Sequence, residues 1–332
     1  MRRTLFLILI ALCPLAAEAQ TLVQKADSLL DLHYNRLAYD TAYILRPERR
    51  WTFKLRPKLS WFNVNSHSNI EGYDFLCDVN STPKGKLSLS AGYSGLNLSF
   101  SANPEKIFKG NEQDVEVHVD YYGKRMGLEF GMSHIGSLEG YLSVVGDSTS
   151  VRVGVERGDV SQFNITLNAY YIFNRRHFSY PAAFTQSYIQ RRSAGSLMAG
   201  AYIYGGQTTI GDSAAGTEIY LVTHSMFALG LGYGYNFVLP LLDGKQWLFH
   251  ISAIPYFSVG TKGQLRELGD EREWKTRFPE VIVVARGAAI RSFGDWFAGL
   301  TMQYMWLHTG NSDAVELNNA QWHFMGILGI RL

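Results

Sequence analysis

From Trp51 to the end of the chain, apolar residues alternate with polar or small residues at a period of two. The odd positions of residues 163–173 are apolar and the even positions of 162–168 are Gln, Asn and Thr. Every second residue of 227–237 is aromatic or Leu, and most of the residues between are Gly or Ala. Strict alternation over about ten residues is typical of strands in a transmembrane barrel, whereas a soluble sandwich has shorter strands and more frequent turns. We therefore predict an all-β fold, a transmembrane antiparallel up-and-down barrel.

The alternation divides into about twelve segments, an even number as bacterial single-chain barrels require. Residues 135–159 hold enough apolar side chains for a further hairpin, so ten or fourteen strands also fit. Pro57 lacks a ladder donor, which predicts a bulge or an imperfect seam. The alternation changes phase around Gly95, which we interpret as a bulge. The predicted strands are 52–65, 70–79, 86–101, 113–122, 125–134, 160–173, 192–204, 224–238, 246–259, 278–291, 296–308 and 320–332.

The connections are expected to alternate between short periplasmic turns and long outer loops. Asn174–Arg191 is an exception, because it is long and falls on the periplasmic side. Its apolar residues suggest that it tucks under or into the barrel. The predicted short turns include Ser81–Gly85, Gly123-Lys124, Leu239–Lys245 and Ser292–Asp295. The predicted long loops include Ala102–Glu112, Ile135–Asp159, Gly205–Thr223, Thr261–Arg277 and Thr309–Asn319.

All seven tryptophans fall near predicted strand ends, as expected for aromatic girdles at the two faces of a membrane. Core tryptophans of a soluble protein would show no such preference. The inner girdle would hold Trp51, Trp247 and Trp296, and the outer girdle Trp61, Trp306 and Trp322, while Trp274 precedes a strand.

The amino terminus has the order of a secretory signal peptide. Arg2 and Arg3 precede an apolar run, and Ala17 and Ala19 provide the small residues of a cleavage site. We predict a signal peptide at 1–19 cleaved after Ala19, a periplasmic leader with a short amphipathic helix at 20–50, and a barrel at 51–332. The protein would then reside in the outer membrane. Cys77 would be the only cysteine of the mature chain, which excludes an intramolecular disulfide.

Composition narrows the choice further. Of the 332 residues, 46% are apolar, 14% aromatic and 18% charged, which is too apolar for a disordered chain. A mean hydropathy of −0.07 excludes a bundle of transmembrane helices. The 31 basic residues barely exceed the 29 acidic ones, so nucleic acid is not an expected partner. The expected partners are outer-membrane lipid and, during biogenesis, the barrel-assembly machinery.

Two regions of the mature chain carry a family resemblance. The first is Asp40–Ile44, before the first predicted strand. The chain resembles an uncharacterised family of Bacteroidetes outer-membrane barrels, known as a domain of unknown function. The resemblance implies a barrel but brings no reaction, ligand or catalytic residue, and Leu332 replaces the final aromatic residue that such barrels prefer. The second region holds Phe178, Ser179, Tyr180, Pro181, Ala182, Ala183, Phe184, Gln186, Ser187 and Gln190, followed by Ser193, Ala194, Gly195 and Ser196.

If the apolar faces contact lipid, the opposite faces place charge in the lumen. Basic residues would form one wall and acidic residues another, and such a field can orient polar solutes in a pore. Alternatively, the opposite charges pair across the lumen and close it. The inward-facing set is Lys54, Arg56 and Lys58 from the first strand, Asp114, Glu116, His118 and Asp120 from the fourth, Glu129 from the fifth, and His323 and Arg331 from the last.

The expected function is therefore that of a monomeric structural protein or passive small-solute pore of the outer membrane. A second hypothesis is a surface-interaction protein acting through the long outer loops. A third is a lipid hydrolase, but His67-Ser68 and His224-Ser225 are adjacent pairs, and adjacent residues of a strand face opposite sides. No catalytic residue, metal site or cofactor is predicted. The glycines of 230–234 are expected to let a plug or a neighbouring strand approach closely.

Overall fold

The computed structural model describes residues 39–70, 73–81, 84–103, 114–136, 138–145, 150–156, 159–212, 217–241, 245–267, 270–274, 280–308 and 315–332. The predicted signal peptide and most of the predicted leader lie outside these residues. The chain divides into two compact units at Asp40, and the fold below is that of Thr41–Leu332.

The described residues of this unit form strands and one short helix, α1 (Pro181–Phe184). In chain order the strands are β1 (Ile44–Leu45), β2 (Trp51–Ile70), β3 (Tyr73–Ser81), β4 (Lys84–Tyr93), β5 (Leu96–Ala102), β6 (Val115–Tyr122), β7 (Met126–Ile135), β8 (Leu138–Val145), β9 (Ser150–Val155), β10 (Val160–Ile172), β11 (Ile189–Gln190), β12 (Ala194–Asp212), β13 (Thr217–Pro240), β14 (Gln246–Glu267), β15 (Asp270–Trp274), β16 (Val281–Phe293), β17 (Trp296–His308) and β18 (Val315–Arg331).

Twelve of these strands close into an antiparallel barrel, which confirms the predicted fold and strand number. The order around the wall is β2, β4, β5, β6, β7, β10, β12, β13, β14, β16, β17 and β18, and β18 pairs with β2 to close it. Full closure leaves no sheet edge unpaired within the barrel. Among the described residues, no helix has the length and apolar character needed to cross a membrane.

The alternation of the sequence becomes the two faces of the wall. On β2, Phe53 is 43% exposed and Lys54 only 4%, and on β13, Leu231 is 70% exposed and Ala228 fully buried. Since successive side chains of a strand point to opposite faces, the exposed apolar residues lie outside, and the inner face holds polar and small residues together with a buried apolar cluster. A soluble protein rarely exposes apolar residues so continuously over its surface.

Two predicted strands were wrong. One of them is two barrel strands and the other is not a barrel strand, so the predicted number of twelve is unchanged. The segment 86–101 is not one bulged strand but the hairpin of β4 and β5. Ser94 and Gly95 form its turn with φ of 47° and 94°, and two positive φ values are what a tight two-residue hairpin requires. The other error is the predicted barrel strand 70–79. It corresponds to β3, which pairs with residues 63–70 of β2, whereas β4 pairs with residues 51–60 on the same edge of β2. The two strands therefore follow one another along one edge and do not lie side by side. The predicted periplasmic turn Ser81–Gly85 is therefore wrong.

An extension of the sheet rises beyond the barrel at the end that carries the long loops. The hairpin that residues 135–159 allowed is present as β8 and β9, but it pairs with β3 and is not inserted in the barrel. The extension has a core of its own. Its buried members are Phe62, Val64, Cys77, Val79, Ile135, Leu138, Val155 and Val160.

The seam between β2 and β18 is imperfect at Pro57, as predicted. Pairing stops at Lys58 with Met325 and resumes at Leu55 with Leu328. The proline has no N–H to donate, so the ladder is interrupted on this side.

The tryptophans show how far the strands extend. Trp51 and Trp296 begin β2 and β17. Trp61 and Trp322 lie inside their strands rather than at the ends, because β2 and β18 continue well past them, and the two rings stack 5.9 Å apart. On β2 the outward residues beyond Trp61 are polar: Asn63, Asn65 and His67. Trp274 ends β15.

Candidate functional site

The connection between β10 and β12 lies inside the barrel, at the end that carries the short turns. We call Asn174–Arg191 the plug. It contains α1, and β11 within it pairs with β1 as a small separate sheet. Phe178 is 1% exposed, and Gln186 and Gln190 are fully buried. Pro181 supplies the fixed φ that suits the first turn of a helix. The short-turn end of the lumen is thus filled by a chain segment.

Hydrogen bonds from the wall hold the plug in place. Lys54 Nζ donates to the Phe184 carbonyl at 3.2 Å and to the Thr185 carbonyl at 3.4 Å. Arg331 Nε donates to the Gln186 carbonyl at 2.9 Å. Two of the predicted lumen cations, Lys54 and Arg331, therefore bind plug carbonyls that would otherwise be buried without donors.

Gln190 is the central residue of the plug. Its Oε1 accepts hydrogen bonds from the Ser179 amide at 2.8 Å and from Asn236 Nδ2 at 3.0 Å. Its Nε2 donates to the carbonyls of Arg192 at 2.8 Å and His177 at 2.5 Å. One buried amide thus joins the two ends of the plug to the wall.

Aromatic residues of the plug pack around a histidine of the wall. The rings of Phe178, Tyr180 and Phe184 lie 6.0, 5.1 and 5.0 Å from the ring of His250. A Cβ at Gly234 would lie 3.1 Å from Cζ of Phe178, so the absence of a side chain there makes room for the plug. Burial raises the pKa of the Tyr180 hydroxyl, which stays protonated.

A buried ion pair crosses the lumen above the plug. Arg286 on β16 binds both carboxylate oxygens of Glu129 on β7, almost opposite in the barrel. Glu129 also accepts hydrogen bonds from Tyr122 Oη at 2.7 Å and Asn168 Nδ2 at 2.9 Å. Arg286 Nη1 donates to Tyr180 Oη at 3.0 Å, which links the pair to the plug.

A second charged cluster surrounds Glu116. Its carboxylate binds Lys58 Nζ and, at 2.7 Å, Lys86 Nζ, with His118 Nε2 at 3.5 Å. The structure thus brings the predicted Lys58, Glu116 and His118 together. Opposite charges therefore pair inside the lumen at these residues.

Among the other predicted residues, Asp114 and Gly195 lie apart from these two clusters. Asp114 accepts the Gly136 amide at 3.0 Å, at the long-loop end of β6. His323 Nδ1 lies 3.0 Å from Ser60 Oγ. Gly195 lies under Tyr233, where a Cβ would be 2.1 Å from the hydroxyl oxygen. Sequence reasoning missed Arg286 and Lys86, although Arg286 is the only charged residue between Val281 and Ile290.

A cavity of about 110 Å³ lies in the lumen, between the plug and the charged walls. Phe184 of the plug borders it, and polar side chains form most of its lining. These include Arg56, Lys58, Asn97, Ser99, His118, Asp120, Glu129, Asn168, Arg286, Thr301, Gln303 and His323.

The hydrolase candidates do not assemble a nucleophile with a base. His224 is buried inside, with Nε2 3.1 Å from Glu280 Oε1, whereas Ser225 is on the outer surface. His67 contacts Asp74 at 3.2 Å. Within the described ranges, no group of three or more His, Cys, Asp or Glu residues is arranged to hold a metal ion.

These features define a class of protein, a closed twelve-stranded antiparallel β-barrel with an apolar outer wall and a plugged, charged lumen. The chain belongs to the DUF4421 family, a domain of unknown function, whose model matches residues 38–328. No curated protein sequence matches it significantly.

Similar solved structures include other barrels. The β domain of the Bordetella autotransporter BrkA is 11% identical, with 85% of this chain and 100% of that chain covered and a TM-score of 0.35. The translocator domain of the autotransporter NalP from Neisseria meningitidis is 12% identical, with 96% of each chain covered and a TM-score of 0.35. OprG from Pseudomonas aeruginosa is 10% identical, with 86% and 97% covered and a TM-score of 0.30. At these identities nothing about their activities transfers to this chain.

Proposed function

We propose that this protein is an outer-membrane barrel that lets small polar solutes pass, and that the plug keeps it closed at rest. The membrane location is supported by the spacing of two tryptophan pairs, Trp51 with Trp61 and Trp296 with Trp306, each ten residues apart on one strand. Ten residues at about 3.3 Å each, tilted by about 40°, rise about 25 Å, which is the height of the apolar band of such barrels.

One observation supports the pore hypothesis: a chain segment, the plug, closes the short-turn end of the lumen, and the wall itself does not. The plug is held by hydrogen bonds and aromatic packing, with Lys54, Asn236 and Arg331 donating from the wall. Above it lies a polar cavity. A barrel of twelve strands is intermediate between those filled by side chains, with about 8 strands, and those with an open channel, with about 16. Displacement of the plug would open a polar route through such a barrel.

Conductance in planar bilayers tests the proposal. Gln190→Leu keeps the size of the side chain but removes the amide that joins the plug to the wall. We expect wild type to conduct rarely and the variant to show frequent channel openings. Gln207→Leu is the matched control, because Gln207 is exposed on the outer face of β12, away from the plug. A variant as silent as wild type at every salt concentration would overturn the gated pore.

A surface-interaction role is the second candidate, and one observation favours it. The strand β9 has no partner on its outer edge among the described strands, and Val151 and Val153 on it are about half exposed. An unpaired edge is a template on which another chain can add a strand. Replacing Val151 by Lys would be expected to abolish binding of such a partner chain to intact cells that carry this protein, while the conductance of the barrel stays unchanged.

A further inference from the structure

Two opposite charges face the cavity without pairing. Arg56 and Asp120 both line it. The other buried charges around them are paired, Arg286 with Glu129 and Lys58 with Glu116. Neither Arg56 nor Asp120 forms an ion pair within the described part of the chain. Among the described residues, Arg56 Nη2 donates to Ser88 Oγ, at 3.1 Å, and Asp120 Oδ2 accepts from Asn97 Nδ2, at 3.3 Å.

The guanidinium of Arg56 has at least one N–H donor without an acceptor among the described residues. Its Nε is completely buried and has no hydrogen-bond partner among the described residues, and the same holds for the Nε of Arg286, another residue that lines the cavity. Buried donors in proteins are almost always satisfied, so those that are not point to a missing acceptor. A planar guanidinium with free N–H groups is suited to a carboxylate.

Asp120 provides the complementary end. It lies directly across from Glu129 in the β6–β7 pairing, so two carboxylates are side by side. Arg286 forms its ion pair with Glu129, so Asp120 has no cation within ion-pair distance among the described residues. A positive group in the cavity next to Asp120 would relieve the repulsion between these carboxylates.

We propose that the cavity binds a small zwitterion of the amino-acid type, with its carboxylate on Arg56 and its ammonium group on Asp120. The volume of about 110 Å³ is well below the range of about 300 Å³ and above that drug-sized ligands occupy. It suits a solute of a few non-hydrogen atoms. This inference rests on the proposed pore, since it names the class of solute that the pore would pass.

Calorimetric titration of the folded protein in detergent micelles tests the proposal, with glycine as the zwitterion and acetate and methylammonium as its two halves. We expect glycine to bind more tightly than either half. Arg56→Gln and Asp120→Asn should each weaken glycine binding at least tenfold. Acetate binding should depend on Arg56 but not on Asp120. Arg152→Gln and Asp78→Asn, on the outer extension, are matched controls. A heat-induced mobility shift on electrophoresis verifies that each variant is folded.

Several results would overturn the zwitterion. These results are no glycine binding at all, glycine binding no tighter than acetate binding, and glycine binding unchanged in both variants. If glycine fails but Gln190→Leu conducts, only the solute class is wrong and the gated pore stands. If glycine binds as expected but Gln190→Leu stays silent, the site stands and the pore is wrong.

Discussion

The lumen has two unlike halves. One half, lined by β10, β12, β13, β14, β16 and β17, holds most of the buried rings and aliphatic side chains. The other half, lined by β2, β4, β6, β7 and β18, holds most of the buried charges. Tyr202, Tyr256 and Met305 represent the first half, which we call the apolar half, and all are buried. Lys58, Lys86 and Glu116 represent the second, the charged half. Exposed apolar residues lie on the outer face of both halves, for example Leu55 and Leu231.

The two halves of the lumen are closed by different kinds of interaction. The apolar half is closed by packing, with tyrosine rings seated on glycines, and packing cannot be rearranged without creating voids. The charged half is closed by ion pairs and hydrogen bonds, which water or a polar solute can replace. The cavity borders the charged half, so a route for solutes is expected there.

Breaking the ion pair that joins the halves is expected to have the largest effect. Glu129→Leu leaves the guanidinium of Arg286 buried without its carboxylate partner, which costs about 3–5 kcal/mol of unfolding free energy. Replacing both residues, as Glu129→Leu with Arg286→Met, should restore most of that loss, because no buried charge remains. Urea unfolding in lipid vesicles measures both. A double variant as unstable as the single one would show that the charge pair is not what joins the halves.

Adding one methyl group to the apolar half is expected to have a smaller effect. A Cβ at Gly200 would lie 2.7 Å from the ring of Tyr256, so Gly200→Ala forces the packing apart and costs about 1–3 kcal/mol. Gly205→Ala is the matched control on the same strand, since a Cβ there meets nothing within 4 Å. The same unfolding assay compares them. Equal stabilities would mean that the apolar half is loosely packed, and the contrast between the halves would fail.

Most of the wall was predictable because its pattern is local. The alternation requires only that one face contacts lipid, so it predicted the barrel, and the number of twelve strands was right although two of the predicted strands were wrong. The hairpin at Ser94-Gly95 was missed because a shift of phase is produced by a bulge or by a tight turn alike. A Ser-Gly pair between two alternating runs was the available signal.

The site was less predictable because its contacts are not local. Arg286 and Glu129 are far apart in sequence and meet only because the strand order places β16 almost opposite β7. The length and apolar residues of the plug suggested that it tucks in, but its bonds to Lys54 and Arg331 depend on the register of closure. No pattern within one strand encodes such distances.

The smallest expected effect is a pH dependence confined to the charged half. Lys124 lies in the turn between β6 and β7, and partial burial, with the cations of Arg46 and Arg175, lowers its pKa to about 8. Unfolded lysine has a pKa of about 10.4, so between these values the unfolded state binds more protons than the folded state. The free energy of unfolding should therefore rise with pH across this window.

Lys124→Gln should remove this rise in the free energy of unfolding, because residue 124 then binds no proton in either the folded or the unfolded state. Lys245→Gln, in the turn between β13 and β14 on the apolar half, should leave it unchanged. Urea unfolding of wild type and both variants at a series of pH values from about 8 to about 10 measures the slopes. If the Lys245 variant flattened the profile instead, the pH response would belong to the apolar half, and the two halves would not differ in the way that their side chains indicate.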